Sequence, residues 1–396
     1  MDFALSDEQR QLADAIGTWL QRHYTFAHRQ GVLHEPGATR AADWQALAEL
    51  GVLALAAPEQ AGGFDGTPAD LAVVMEALGP GLILEPVMPN LLAAQVLART
   101  GSHTGLLSQW AEGATRVVCA FGERHSRYDD TQVATRATPT PRGFRLDGAK
   151  VVVRGAAQAD HLLVTARLQQ TGAGDSLALF CVPCDAAGVT LRGYRCVDGP
   201  HAADVHLDGV EVDADHRIEA TESIEDLLAW HADLGAVLAC AEGLGVMQAL
   251  IQATQDYLAT RKQFGVPLLT FQALQHRVVD MAIQLEQSRS LTLLASAAMQ
   301  DPDTARRQRA VSAAKWRSAT ALTFVGEQAV HLHGGIGVTD ELDVAHHFKR
   351  ATALALTMGD ADHHLARFIR LPGFAPAPAL ASAHTPAPAP AQAQPA

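Results

Sequence analysis

The strongest constraint on the fold is that the hydrophobic period changes twice along the chain. Apolar residues first recur every three or four positions, as in Leu5, Leu12, Ile16 and Leu20, after Ser6-x-x-Gln9, a pair able to close a capping box. Helical patterns follow over residues 43–50 (ended by Gly51), 68–78 (ended by Gly79-Pro80-Gly81) and 91–99. From about residue 116 to 211 the pattern becomes short β-branched or apolar runs at 117–121, 144–146, 151–153, 162–164, 177–180 and 205–207. Asp147-Gly148 and Asp208-Gly209 read as turns between such runs. Helical spacing returns at Thr221, with Leu234, Val237, Leu238, Ala241 and Leu244 on one face and Leu274, Val278, Met281 and Leu285 on another. Asp301-Pro302-Asp303 breaks and restarts this pattern. The predicted class is α+β: an N-terminal helical domain over residues 1–114, a middle β-barrel or sandwich over 115–220, and a C-terminal four-helix bundle over 221–370. Residues 371–396 are rich in Ala and Pro, cannot bury a core, and are expected to be disordered. No strand-helix alternation and no Gly-x-Gly-x-x-Gly after a strand point to a Rossmann unit.

At 396 residues, 48% hydrophobic and 18% charged, the chain has the profile of a globular protein with a large core. A net charge of −13 argues against nucleic-acid and anionic-membrane partners, which require a basic surface. It leaves room for an anionic nucleotide held by a local basic group. Five cysteines, an odd number, read as reduced thiols. Cys181-Val-Pro-Cys184 lacks the second pair a zinc site needs, and adjacent histidines such as His346-His347 and His363-His364 point about 100° apart on a helix, so no metal is expected. The acidic opening carries no charged-then-apolar leader, and no apolar run reads as reaching the roughly 20 residues of a bilayer span. The expected location is the cytoplasm.

Residues 261–276 concentrate the ligand chemistry. Arg261 offers a planar array of donors suited to phosphate, and Gln263 and Gln272 offer amides that read a sugar or a base edge. Phe264 and Phe271 would wall a planar ligand. The competing reading is an ordinary helix-turn-helix corner with both phenylalanines in the core. Arg-Lys-x-Phe-Gly, Phe-Gln and Gln-His in this stretch, followed by His331-Leu-His-Gly334-Gly335-Ile-Gly337, resemble motifs of flavin-dependent acyl-coenzyme A dehydrogenases. Residues 58–63, Pro-Glu-Gln-Ala-Gly-Gly, resemble a loop of that family's first domain. Residues 123–129 and 359–365 resemble the small-subunit type of its pimeloyl-coenzyme A branch.

The resemblance implies FAD, an acyl-coenzyme A thioester oxidised to the 2,3-enoyl product, and an electron-transfer flavoprotein as acceptor. It implies a flavin shared between subunits, with Arg261, Gln263, Phe264, Phe271, Gln272, His331, Gly334 and Gly335 gripping the adenosine end of a neighbour's FAD. His331 stands where the family usually has glutamine. The chain departs from the family elsewhere. The glutamate that removes the α-proton falls at Met358, and its alternative position falls at Gly235. The Trp-Ile-Thr strand that covers the flavin ring appears as Val152-Val153-Arg154, and Arg154 would either contact the flavin or occupy its place. The resemblance also puts Asp233, in Trp230-His231-Ala-Asp233, near the acyl chain; a helix start with Asp233 on the dipole is the plain alternative. Two readings follow: a subunit without its own base that completes the FAD site of a paralogous partner in a heterotetramer, or a self-sufficient homo-oligomer with a displaced base. Asp360 leads the candidates for that base, ahead of Asp362 and Glu242, and its plain alternative is a helix-end carboxylate. A flavin-free acyl-coenzyme A or partner-binding scaffold is the third.

Overall fold

A computed structural model describes residues 5–35, 39–169 and 175–372. Six helices come first: α1 (Asp7–Arg22), α2 (Phe26–Leu33), α3 (Ala41–Glu49), α4 (Pro68–Leu78), α5 (Val87–Thr100) and α6 (Thr104–Ala111). The Ser6–Gln9 capping box closes at the start of α1, with Gln9 N–H donating to Ser6 Oγ at 3.1 Å and Ser6 N–H to Gln9 Oε1 at 2.9 Å. Thr67 and Asp70 form a second box, with Pro68 at the first helical position, where its missing N–H costs nothing.

The sheet region comprises β1 (Val117–Ala120), β2 (Arg136–Pro139), β3 (Gly143–Arg154), β4 (His161–Leu168), β5 (Ser176–Pro183), β6 (Val189–Arg195), β7 (His201–Asp213) and β8 (Arg217–Ile218). They run in the order β6-β7-β3-β2-β4-β5-β8, with β1 parallel to β4. Asp147-Gly148 and Asp208-Gly209 are not turns. Both lie inside long antiparallel strands, where the β3–β7 register shifts between Leu146 and Gly148. Gly209 N–H donates to Asp147 Oδ1 at 2.9 Å, so the two turn-like dipeptides meet across one bulge.

The bundle follows as α7 (Ile224–Thr260), a hairpin of β9 (Lys262–Gln263) and β10 (Val266–Pro267), α8 (Gln272–Ala298), α9 (Thr304–His333), α10 (Asp343–Leu356) and the short α11 (Ala361–Arg370). The first helices and the bundle share one apolar core, while the sheet encloses its own. α7 corrects the sequence reading on apolar length. By length and composition it could cross a bilayer, and 89% of its most apolar window is buried as the central bundle helix. Its Gly-rich stretch packs within the chain. A Cβ on Gly245 would lie 2.2 Å from the Glu76 carbonyl oxygen, and one on Gly79 would lie 2.5 Å from that of Glu242. The expected disordered tail lies outside the described residues beyond residue 372.

Candidate active site

Three places in this fold carry the candidate residues. The first is the end of the bundle where α7, α8 and α9 converge. Arg261 caps α7, its N–H donating to the Tyr257 carbonyl at 2.8 Å and its carbonyl accepting from Leu268 N–H at 2.8 Å. The β9–β10 hairpin then projects outward, carrying Gln263 and Phe264 on an exposed turn. Phe264 is 91% exposed at φ 53°, and Phe271 is 37% exposed, with the two rings edge-to-face at 6.2 Å. The corner reading that buries both phenylalanines is therefore wrong; Leu268 and Leu269 supply the corner's core contacts instead. Gln272 is the exposed first residue of α8. Tyr257 stacks on His333 at 4.5 Å and so ties the hairpin base to the end of α9, where His331, Gly334 and Gly335 are exposed. Gly334 has φ 68°, and a Cβ added to it or to Gly335 would meet nothing within 4 Å. A ligand can reach this backbone directly.

The second place is a cavity of about 450 Å³ between the sheet and the bundle, lined by Phe121, Val152, Arg154, Asp198, His231 and Met358 among others. At its edge Val152 holds φ 54° with 57% of its surface exposed, an unusual state for a β-branched residue. Its N–H donates to Asp204 Oδ1 at 3.1 Å. Arg154 Nη1 lies 3.6 Å from Asp198 Oδ2, an oxygen that also accepts from Arg350 Nη1 at 2.6 Å. Arg350 donates in turn to both oxygens of Glu242, at 2.6 and 2.7 Å. Burial works against the Asp198 carboxylate, yet Arg350 and Arg154 hold its pKa below the usual range. Glu242 is thus bound in a buried ion pair and is not free to act as a base. His231 is packed edge-to-face on Phe121 at 4.8 Å, and burial lowers its pKa to about 4, so it is neutral. In the neighbouring loop the Glu123 carboxylate turns inward to Lys150 Nζ at 2.8 Å and to the Ala134 and Thr135 N–H groups.

The third place is an adjoining cleft of about 910 Å³ that shares Arg127, Asp130 and Met358 with that cavity and adds Asp360, Asp362, His363, Arg367 and Arg370. Met358 stands at φ 57° with its side chain laid over Gly235, where an added Cβ would lie 2.8 Å from Met358 Cε. The two positions at which the resemblance would place a glutamate therefore face each other, one a thioether and one bare. The Met358 loop is anchored from below. Lys315 Nζ donates to the carbonyls of Ala355 (3.0 Å) and Gly359 (2.9 Å), and His364 Nε2 donates to that of Met358 (2.8 Å).

Asp360 caps α11, its Oδ1 accepting from His363 N–H at 2.8 Å and its Oδ2 from Arg127 Nη2 at 2.9 Å. The backbone N–H of His363 and the Arg127 guanidinium hold its pKa below the usual range, opposite to what a base needs. Asp362 is exposed in the first turn of α11. Asp233 does not open a helix. α7 begins at Ile224, capped by Ser223, and Asp233 lies fully buried between Arg307 (3.0 Å) and Arg367 (2.6 Å). Two guanidiniums flank the carboxylate, and its side chain has no exposed surface for a substrate to meet. Sequence reasoning passed over Asp130. This half-buried carboxyl lines both spaces, and burial raises its pKa to about 6. The Asp129-Asp130 doublet was its only signal, and nothing local shows which of the two faces inward.

The acyl-CoA dehydrogenase N-terminal domain matches residues 6–105, and the acyl-CoA dehydrogenase C-terminal domain matches residues 227–370. The chain is similar to acyl-CoA dehydrogenase FadE27 of Mycobacterium tuberculosis, 29% identical over 389 residues, which cover 95% of this chain and 100% of that relative. It is similar to a solved chain of a Tcur3481-Tcur3483 steroid ACAD variant, with 30% identity, TM-score 0.82, and coverage of 91% of this chain and 96% of that one. A crystal structure of the ChsE4-ChsE5 complex from Mycobacterium tuberculosis matches with TM-score 0.83 and 26% identity, covering 93% of this chain and 98% of that one.

Proposed function

Because this chain belongs to the acyl-coenzyme A dehydrogenase family, whose members depend on FAD, we propose that it is the base-lacking subunit of such an enzyme and completes the FAD site of a paralogous partner. One observation carries this reading: Met358 lies over Gly235, so neither usual position offers a carboxylate, while the adenosine-end residues all stand exposed at one bundle end. Those residues fit that half of FAD. Phe264 and Phe271 offer ring faces, Arg261 offers a guanidinium, and Gly334 and Gly335 leave open backbone. The chain's own ring-side cavity has an isopropyl and an ion-paired guanidinium where the family resemblance places an indole and a hydroxyl. When bound, the flavin takes the hydride that leaves the β-carbon of an acyl-coenzyme A thioester as the α-proton is removed.

In this reading Arg261 pairs with phosphate, the amides of Gln263 and Gln272 meet the adenosine, and the partner supplies the carboxylate base. An electron-transfer flavoprotein is the acceptor, and the assembly is a heterotetramer. The likeness to a chain of the ChsE4-ChsE5 complex supports association with a differently named partner. A self-sufficient homomeric reading would draw its base from Asp130, the carboxyl that lines both cavities, rather than from Asp360.

The test is the visible spectrum and flavin-to-chain ratio of the chain alone and after co-expression with its genomic neighbour. The expected result is a colourless lone chain, and a complex carrying one flavin per two chains. A lone yellow chain with one flavin per subunit that oxidises an acyl-coenzyme A at an ordinary rate would sink the proposal and turn attention to Asp130.

A further inference from the structure

At the same bundle end an arginine outside the family-like motifs reaches the site. Arg277, in the second turn of α8, places Nη1 3.0 Å from His331 Nδ1 on the last turn of α9. A guanidinium can only donate, so His331 Nδ1 is the acceptor and its ring proton sits on Nε2. That tautomer presents an N–H donor beside a full positive charge. Among the described residues this is Arg277's one hydrogen bond, and no carboxylate pairs with it.

The contact leaves the Arg277 charge unbalanced: Nη1 meets a neutral ring nitrogen, and the rest of the fork pairs with no carboxylate among the described residues. An anion placed against both groups supplies the missing charge. The surrounding sequence points the same way. Residues 257–279 and 328–339, the two segments that meet here, hold no acidic residue; Asp280 and Glu327 stand just outside them, one helical turn from Arg277 and His331, and form no ion pair with Arg277. In a chain of net charge −13, this end is locally cationic, with Arg261, Lys262 and Arg277.

Resting on the adenosine-end reading above, we infer that Arg277 and His331 form a diphosphate-binding pair for the partner-held dinucleotide. Arg277 supplies the charge that a neutral amide at position 331 would lack. Its fork would hold a phosphate oxygen while fixing the imidazole with its N–H free to donate to the same diphosphate. Arg277 is thus both a binding residue and the group that fixes the His331 tautomer.

The probe is ADP, titrated calorimetrically into the purified full chain at two salt concentrations. Wild type should bind ADP. Arg277→Gln should weaken binding about tenfold and flatten its salt dependence while leaving the melting temperature unchanged; Arg277→Lys should recover part of the affinity. Wild-type and Arg277→Gln chains binding ADP equally well would overturn the inference, as would no ADP binding by wild type at millimolar concentration. Arg261→Gln separates this from the broader reading. If it binds ADP normally while Arg277→Gln does not, the family-like grip by Arg261 fails and the Arg277 pair stands. The flavin ratio judges the partner-subunit proposal independently.

Discussion

Glu85 shows how a single buried charge shapes this protein. It is 4% exposed, with Oε1 accepting from Arg40 N–H at 3.4 Å and no hydrogen-bond partner for Oε2 among the described residues. Burial is the main cause that raises its pKa to about 7. The unfolded chain releases this proton near the ordinary carboxylate value of 4.5, so between there and pH 7 the folded state keeps a proton that the unfolded state has lost. Stability should therefore fall as pH rises through that window and stay at the lower level above it. Glu85→Gln keeps an acceptor without the charge. It should add on the order of 2 kcal/mol at pH 8 and almost nothing at pH 4.5, as read by guanidinium denaturation at both values. Equal gains at the two pH values would mean that packing, not ionisation, sets the cost. Reading residues from sequence failed in the same currency. Asp233 looked like a helix-start carboxylate because its neutralising partner Arg307 lies 74 residues away. Phe264 could as well have been core, since nothing local says whether a turn faces inward.

Among the elements, α11 separates a structural carboxylate from a catalytic one. Asp360 caps this helix through His363 N–H. Asn caps as well as Asp, while Ala leaves the donor unsatisfied. Asp360→Ala should cost about 1 kcal/mol, and Asp360→Asn should cost clearly less; on the proposed reading, thioester oxidation by the complex with its partner should be unchanged in both. Loss of that activity in the Asn variant would restore Asp360 as a base. Long periodic elements were legible because each buries a continuous stripe: the α7 and α8 patterns appear in the helices themselves, and the restart at Asp303 is the cap of α9. β6 was not legible, since as an edge strand it is mostly exposed and has no apolar alternation to display. β2 is four residues long with one buried, too short for any period to show. The Asp-Gly pairs at 147 and 208 carried a true signal of local irregularity, but a bulge and a turn ask for the same residues, and only the partner strand distinguishes them.

Across the whole molecule, the order of helices, sheet and bundle followed from the two changes of period, whereas the contacts that lock these parts together join residues far apart in sequence. Arg350 on α10 binds Glu242 on α7 and Asp198 on the β6–β7 loop, and Arg29 on α2 donates to the Asp198 carbonyl at 3.0 Å. The Arg350 guanidinium therefore bridges two buried carboxylates and docks the sheet onto the bundle, while Arg29 ties the same loop to the first helices. Breaking such a pair from one side is far costlier than never having had it, because the partners stay buried and unpaired. Arg350→Met should destabilise the chain by about 3–5 kcal/mol in chemical denaturation. Adding Glu242→Gln to that variant should return part of the loss, since one of the two stranded charges is then gone. Arg154 cannot take over, since at 3.6 Å it reaches Asp198 alone and lies partly in solvent. The same substitution should loosen the cavity that Asp198 and Arg154 line, seen as faster proteolysis in the sheet region than in the bundle. If Arg350→Met stayed within 1 kcal/mol of wild type, the sheet would be held by its apolar seam with the helices alone, and the ion pairs would be passengers of that packing.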